Sequence, residues 1–137
     1  MITVKQLNQL RYLKLEITAE KERLESVTAL LETHAMRYDA VRVQTSGEDD
    51  TLGRLASEIV YLKQLIADNM KRAICELLRL EEFIRSIEDS DLRIIFKERY
   101  MKCKSWRSIS LLLGDGDEQL PRRRHDRYLD KYNKEHA

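Results

Sequence analysis

Residues that break regular structure are scarce in this sequence of 137 residues, which contains one proline and four glycines. Proline interrupts helices and glycine weakens them, and residues that favour strands are sparse as well. These shortages argue against a turn-rich β structure. Charged residues instead make up 36% of the chain. Together with many Leu, Glu, Lys, Arg and Ala residues, this composition predicts a mostly helical protein with well-solvated helices.

Cysteines and long apolar runs are also few. The two cysteines, Cys75 and Cys103, lie in separate segments without the spacing of metal ligands. We therefore expect both to be reduced thiols of a cytoplasmic protein. No apolar run approaches the roughly 18 residues that a membrane span needs. The first residues show no signal-peptide pattern, so we expect a soluble protein with no membrane partner.

Patterns that carry catalysis are missing from the sequence too. It has no glycine loop of the kind that cradles phosphates, no credible Ser-His-acid order and no isolated carboxylate pair in an apolar setting. His125 is expected to be a packed or capping imidazole, because no set of Cys, His or carboxylate side chains lies at ligand spacing. We predict that the chain is not an enzyme and binds no cofactor or metal.

The net charge of +1 conceals an uneven distribution. Residues 1–96 contain 14 Lys and Arg against 17 Asp and Glu, a balance of −3. Residues 97–137 contain 11 against 7, a balance of +4. A basic segment within a nearly neutral chain favours a local anionic partner.

Apolar periodicity predicts two long helices before residue 88. The first runs from about Val4 to Met36 and carries one narrow stripe, in which Glu20 and His34 interrupt the apolar positions. Residues 37–50 read as a connection, with a short extended piece at Val41 and Val43. The second helix follows with a seam at spacings of three and four and a stutter at residues 66 and 70. Its seam residues are Leu52, Leu55, Ile59, Leu62, Ile66, Met70, Ala73, Leu77, Leu80, Ile84 and Ile87.

Three short helices are predicted after residue 88, at about 92–101, 105–113 and 121–133. Ser105 is the expected N-cap of the middle helix, Gly114 its stop, and Pro121 the first residue of the last helix. A short helix, a glycine turn and a basic helix together outline a helix-turn-helix. Its expected core contains Phe96, Tyr100, Trp106, Ile109, Leu112 and Leu113, and the last helix adds Tyr128, Leu129 and Tyr132.

Basic side chains flank this predicted module in a way that suits duplex DNA. The major groove just admits an α-helix, and arginine pairs bidentately with guanine. Residues around the start of the supporting helix are candidates for phosphate contacts, and arginines of the last helix for base contacts. The candidate DNA-binding residues are Lys102, Lys104, Ser105, Arg107, Arg122, Arg123, Arg124 and Arg127.

The segment "LRIIFKERYMKCKSWRSISLLLG" resembles region 4 of bacterial sigma-70 factors, and more closely the sigma-like domain of phage regulators of the ArpU and RinA kind. Arg99-Tyr100, Trp106, Ile109, Leu113-Gly114, His125 and Leu129 carry the resemblance, and "YDAVRVQTSGEDD" resembles a loop of related phage proteins. The resemblance implies DNA-linked control of phage genes. The sequence departs from the pattern in a turn one residue longer, with a second glycine at Gly116, and in Arg124 at a usually apolar position.

The fold prediction is therefore an all-α chain, with a long antiparallel helical hairpin or coiled-coil-like arm over residues 1–88 and a three-helix helix-turn-helix module over residues 89–137. The functional prediction is a phage or prophage transcription regulator in the cytoplasm of a bacterial host cell. Its expected partners are double-stranded DNA, RNA polymerase and a second copy bound through the arm. Two alternatives stay open at this point. One is a DNA-packaging subunit resembling a small terminase, and the other is a protein–protein adaptor with a vestigial DNA module.

Overall fold

The computed structural model describes residues 1–40, 50–114 and 116–137, and every regular element in these ranges is a helix. The all-α prediction, with a long helix pair followed by short helices, is confirmed. The helices are α1 (Val4–Leu7), α2 (Gln9–Ala40), α3 (Thr51–Arg85), α4 (Ser90–Phe96), α5 (Trp106–Leu112) and α6 (Gln119–Glu135). A π-helical turn, Lys97–Met101, continues α4 directly. Among the described residues, no helix has the length and apolar character that crossing a membrane requires.

The chain forms two compact units that do not follow its order in sequence. The first, here called the core unit, joins Met1–Leu13 with Ala73–Ala137, and the second, the arm unit, is Lys14–Arg72. The core unit thus contains the first residues and the last part of α3 as well as the three short helices. These compact units do not coincide with the predicted division at residues 88 and 89, and whether residues 89–137 fold as a separate domain stays a prediction.

The arm unit pairs most of α2 with the first part of α3. Val27, Leu62 and Ile66 are buried in it, as apolar seams predict. The seam of α3 differs from the prediction at one point: Met70 is 45% exposed, and Asn69 is buried in its place. The prediction for Met70 is therefore wrong. Asn69, three residues after Ile66, lies on the face of α3 that packs against α2, whereas Met70, four residues after Ile66, lies outside that face.

A polar contact explains why Asn69 is buried in the arm. Its side-chain amide donates a hydrogen bond to Glu20 Oε1 at 2.6 Å. Glu20 is one of the two residues that interrupt the apolar stripe of α2, so a polar position of one seam faces a polar position of the other. Buried polar groups are tolerated when they pair in this way.

One apolar cluster holds the core unit together. Its buried members come from α1, α2, α3 and all three short helices, so burying them joins segments from both ends of the chain. They are Leu7, Leu10, Leu80, Phe83, Ile84, Ile87, Leu92, Ile95, Phe96, Tyr100, Ile109 and Leu129. The backbone of Ile2 adds a polar link, because its N–H donates to Asn133 Oδ1 at 2.7 Å and its carbonyl accepts from Asn133 Nδ2 at 2.9 Å.

The structure corrects several predicted helix ends. Residues 37–40 belong to α2 and not to a connection, and Val41 and Val43 lie outside the described residues. The last helix begins at Gln119, so Pro121 is its third residue. Proline is tolerated there because amides of the first turn have no partner within the helix. Ser105 caps α5 as predicted, by accepting from the Ser108 amide.

Candidate nucleic-acid interface

The predicted helix-turn-helix consists of α5, the turn after it and α6, and His125 lies at the centre of their contact. His125 is almost fully buried, stacks on Phe96 with ring centroids 4.8 Å apart and meets the edge of Trp106 at 5.1 Å. The expectation that His125 is a packed imidazole is confirmed by these contacts. They fix the rotation of α6 about its own axis.

Two hydrogen bonds define the protonation of His125. Its Nδ1 lies 2.8 Å from Asp126 Oδ1, and its Nε2 bonds to the Tyr100 hydroxyl. An ionised carboxylate only accepts, so Nδ1 donates to Asp126 and Nε2 accepts from Tyr100. Burial lowers the pKa of His125 from its ordinary value, which keeps this neutral form. Burial also raises the pKa of Tyr100.

Arg99 links the supporting helix to the loop before it. Its guanidinium lies over the Trp106 ring, 4.6 Å from the centroid, and Nη1 donates to the carbonyl of Lys104 at 3.0 Å. A cation above an indole face is an attractive arrangement. Trp106 is half-buried and packs against the apolar cluster, as expected of a residue that supports the module.

The loop from residue 102 to residue 105 makes a tight reversal. Cys103 has φ of 57° and is the one described non-glycine residue with positive φ. The Lys104 amide bonds back to the Glu98 carbonyl at 3.0 Å, as at a helix end closed by a left-handed residue. This reversal places two predicted phosphate contacts, Lys102 and Lys104, on either side of Cys103.

Both of these lysines pair with the same carboxylate. Lys102 Nζ lies 2.8 Å from Glu98 Oε1, and Lys104 Nζ lies 3.5 Å from Glu98 Oε2. The Glu98 side chain is 8% exposed, while those of Lys102 and Lys104 are 53% and 48% exposed. The hydrogen bond from Lys102 holds the pKa of Glu98 below its ordinary value.

The remaining two candidates near α5 differ in what their side chains do. Ser105 Oγ accepts from the Ser108 amide at 3.2 Å and donates to the Ser108 hydroxyl at 3.0 Å, so it is engaged in the cap. Arg107, in the first turn of α5, is exposed. The apolar surface of α5 is smaller than predicted. Ile109 is buried and Leu113 packs against the cluster, but Leu112 is 57% exposed, so the prediction of Leu112 in the core is wrong.

Of the four candidate arginines on α6, three are exposed and one is paired. Arg122, Arg123 and Arg127 are exposed. Arg123 and Arg127 are four residues apart and share one face, which lies opposite the buried Leu129. Arg124 instead forms an ion pair with Asp91 in the first turn of α4. This pair lowers the pKa of Asp91 and ties α6 to α4.

The sequence reasoning missed the two carboxylates that engage the predicted cations. Glu98 and Lys102 are four residues apart, which is the spacing of an ion pair along one helix, so this contact had a signal in the sequence. The contacts of Asp91 with Arg124 and of Glu98 with Lys104 had none, because they depend on how separate segments fold back.

No group of three or more His, Cys, Asp or Glu side chains within residues 1–40, 50–114 and 116–137 could hold a metal ion. Comparisons of the chain with protein-family models, curated proteins and solved structures find no match.

Proposed function

We propose that this protein binds duplex DNA through α6 and regulates phage or prophage genes in the cytoplasm of a bacterial host. The observation that carries the proposal is the pair of exposed arginines, Arg123 and Arg127, on a helix whose opposite face is anchored by buried His125 and Leu129, with exposed Arg122 beside the anchored face. An anchored helix with exposed guanidinium groups suits the major groove, which is about 12 Å wide.

The arginines of α6 take different roles in this proposal. Arg123 and Arg127 lie on the face opposite the core and are the candidates for base contacts, since arginine pairs bidentately with guanine. Arg122, at one side of that face, reaches a base edge or a phosphate. Arg124 acts as a positioning residue, because its ion pair with Asp91 sets where α6 lies on α4.

Basic side chains near α5 supply the phosphate contacts. Lys102, Lys104 and Arg107 have exposed or half-exposed side chains close to the start of α5. Contacts of this kind fix the register of a protein on the duplex without reading sequence. We therefore expect binding whose affinity falls steeply with salt.

The other partners of this proposal are a second copy of the chain and RNA polymerase. Helix-turn-helix proteins commonly bind as dimers, because two half-sites match a two-fold axis. We propose that the helical arm provides self-association and that the regulator acts together with host RNA polymerase, as its resemblance to sigma-like phage regulators implies.

Selection of bound sequences from a random duplex pool, followed by anisotropy titration, tests the proposal. We expect one enriched motif. In Arg123→Ala/Arg127→Ala, preference for that motif over random duplex should fall about tenfold or more, because a lost arginine–base pair costs about 1–3 kcal/mol. In Lys102→Ala/Lys104→Ala, affinity should fall about equally for every duplex. Lys21→Ala/Arg23→Ala, which removes the same charge from α2, is the matched control.

Unchanged affinity in both test variants would contradict the docking of α6 and α5 on DNA. Absence of any duplex binding at low salt would instead favour the adaptor, for which the exposed Leu111 and Leu112 on α5 offer an apolar contact. A ring of eight or more subunits in a native mass measurement would favour the packaging subunit.

A further inference from the structure

Glu98 occupies an unusual place for a carboxylate in a protein that binds DNA. Its side chain is almost buried in the π-helical turn that follows α4, and it contacts both lysines that the proposed function assigns to phosphate. Lys102 and Lys104 are close together only because the reversal at Cys103 brings Lys104 back beside Glu98. The carboxylate therefore sits where two ammonium groups converge.

The two contacts of Glu98 are unequal. Lys102 Nζ lies at hydrogen-bond distance from Oε1, 2.8 Å, whereas Lys104 Nζ lies 3.5 Å from Oε2, beyond the usual range for such a bond. Oε2 is buried and lacks a hydrogen-bond partner among the described residues. The contact of Lys104 with Glu98 is thus the weaker of the two, and Lys104 is the lysine that another anion would recruit first.

A phosphate at these lysines would share them with Glu98. Each ammonium has three donors, and both side chains are about half-exposed, so donors remain for a phosphate on the solvent side. The phosphate and the carboxylate would then lie on the order of 6 Å apart and repel each other. The group of one glutamate and two lysines carries a charge of +1, where two free lysines would carry +2.

We propose that Glu98 is an internal competitor of DNA phosphate for Lys102 and Lys104. It keeps the two ammonium groups together and at the same time weakens their hold on the backbone of the duplex. This inference rests on the proposed function. It adds to that function a residue that limits non-specific affinity, because phosphate contacts dominate binding to all sequences.

Anisotropy titration of one random duplex with the full chain and its variants tests the inference. Glu98→Gln keeps the size of the side chain and removes its charge. We expect affinity for the duplex to rise about three- to tenfold at about 50 mM salt. The repulsion in water between two unit charges about 6 Å apart corresponds to a change in affinity of about threefold. The ratio of the affinity of Glu98→Gln to that of the wild type should approach one at about 300 mM salt, where screening is stronger. Glu82→Gln, at an exposed position of α3, removes the same charge and should leave affinity nearly unchanged.

The outcomes separate this inference from the proposed function. Wild type and Glu98→Gln binding equally would overturn the competitor role and leave DNA binding standing. Equal gains in Glu98→Gln and Glu82→Gln would overturn it too, since the effect would then be one of net charge. If Glu98→Gln binds duplex and the wild type does not, both the competitor role and the proposed DNA binding are supported. If neither protein binds duplex, both are overturned.

A measurement on the unaltered protein covers the case in which Glu98→Gln fails to fold. In a sample with ¹³C-labelled glutamate carboxyl groups, the Glu98 resonance should move on titration with duplex, because the lysines lie between the carboxylate and the phosphate. The Glu82 resonance should stay in place. A Glu98 resonance that does not move at saturating duplex would refute the competition.

Discussion

Gly114 ends α5 in a backbone conformation that other residues rarely adopt. Its φ is +79°, and its amide bonds to the Leu111 carbonyl at 3.2 Å. A Cβ added there would meet nothing within 4 Å, so the cost of a side chain comes from the backbone alone. Among its described residues, the turn after α5 thus contains a left-handed residue at Gly114.

We expect Gly114→Ala to destabilise the protein by about 1 kcal/mol, the usual cost of a left-handed conformation for a residue with a Cβ. The measurement is urea unfolding followed by Trp106 fluorescence. Gly116→Ala is the matched control, because Gly116 also has open space around it and lacks a positive φ. Equal losses in the two variants would show that turn flexibility, and not the conformation of Gly114, is what matters.

Single residues of the helix-turn-helix were predictable where local pattern decides their place. Ile109 is buried and Ser105 caps α5 because helical spacing and cap chemistry act over a few residues. Leu112 is exposed although its neighbour Leu113 packs inward. Consecutive residues of a helix point in different directions, so only part of an apolar run such as residues 111–113 can face the core. The sequence alone does not determine which of these residues does so.

At the scale of helices, the pairing of α2 with α3 contains a polar contact within two largely apolar seams. Glu20 and Asn69 meet there, at 2.6 Å, and Glu20 Oε2 is buried without a hydrogen-bond partner among the described residues. A single polar pair in such a seam favours one register, since a shift of either helix would leave both groups unpaired.

We expect Asn69→Ala to cost about 1–3 kcal/mol, because it removes the hydrogen-bond donor from a half-buried carboxylate whose Oε2 is already buried without a partner among the described residues. Replacing both residues in Glu20→Leu/Asn69→Leu should be neutral or stabilising, as for other buried polar pairs exchanged for apolar ones. Urea unfolding followed by far-UV circular dichroism measures the free energy of unfolding of both variants. A double variant less stable than Asn69→Ala would contradict a register role and indicate that the pair itself stabilises the arm.

At the scale of the whole molecule, the helix-turn-helix shares its core with the two ends of the long helices. Leu7 and Leu10 lie in the same cluster as Tyr100 and Ile109, and Asn133 near the end of the chain holds the backbone of Ile2. The predicted module at residues 89–137 is therefore part of a larger packed unit. Small modules of this size gain stability from such additional burial.

We expect Leu10→Ala to destabilise the surroundings of Trp106, although the two residues are far apart in sequence. Leu10 is 3% exposed, and truncating a buried leucine costs about 2–5 kcal/mol. Trp106 is the one tryptophan of the chain, so its fluorescence reports the unfolding of the core unit. Leu15→Ala, at a position that is 59% exposed, is the control and should change little. An unchanged Trp106 transition in Leu10→Ala would mean that residues 89–137 fold independently, as the predicted boundary has it.

The sequence by itself determined the helical class, most helix positions and the uneven distribution of basic charge. Apolar periodicity and helix caps depend on residues that are close in sequence, so they can be recognised without coordinates. Only the tertiary structure decided which of the candidate cations pair with a carboxylate of another segment. Arg124 meets Asp91, and Lys104 meets Glu98, through contacts between separate segments, and such contacts depend on how the backbone folds back. The same reason explains the core unit, because burial of apolar surface joins the two ends of the chain wherever their seams fit.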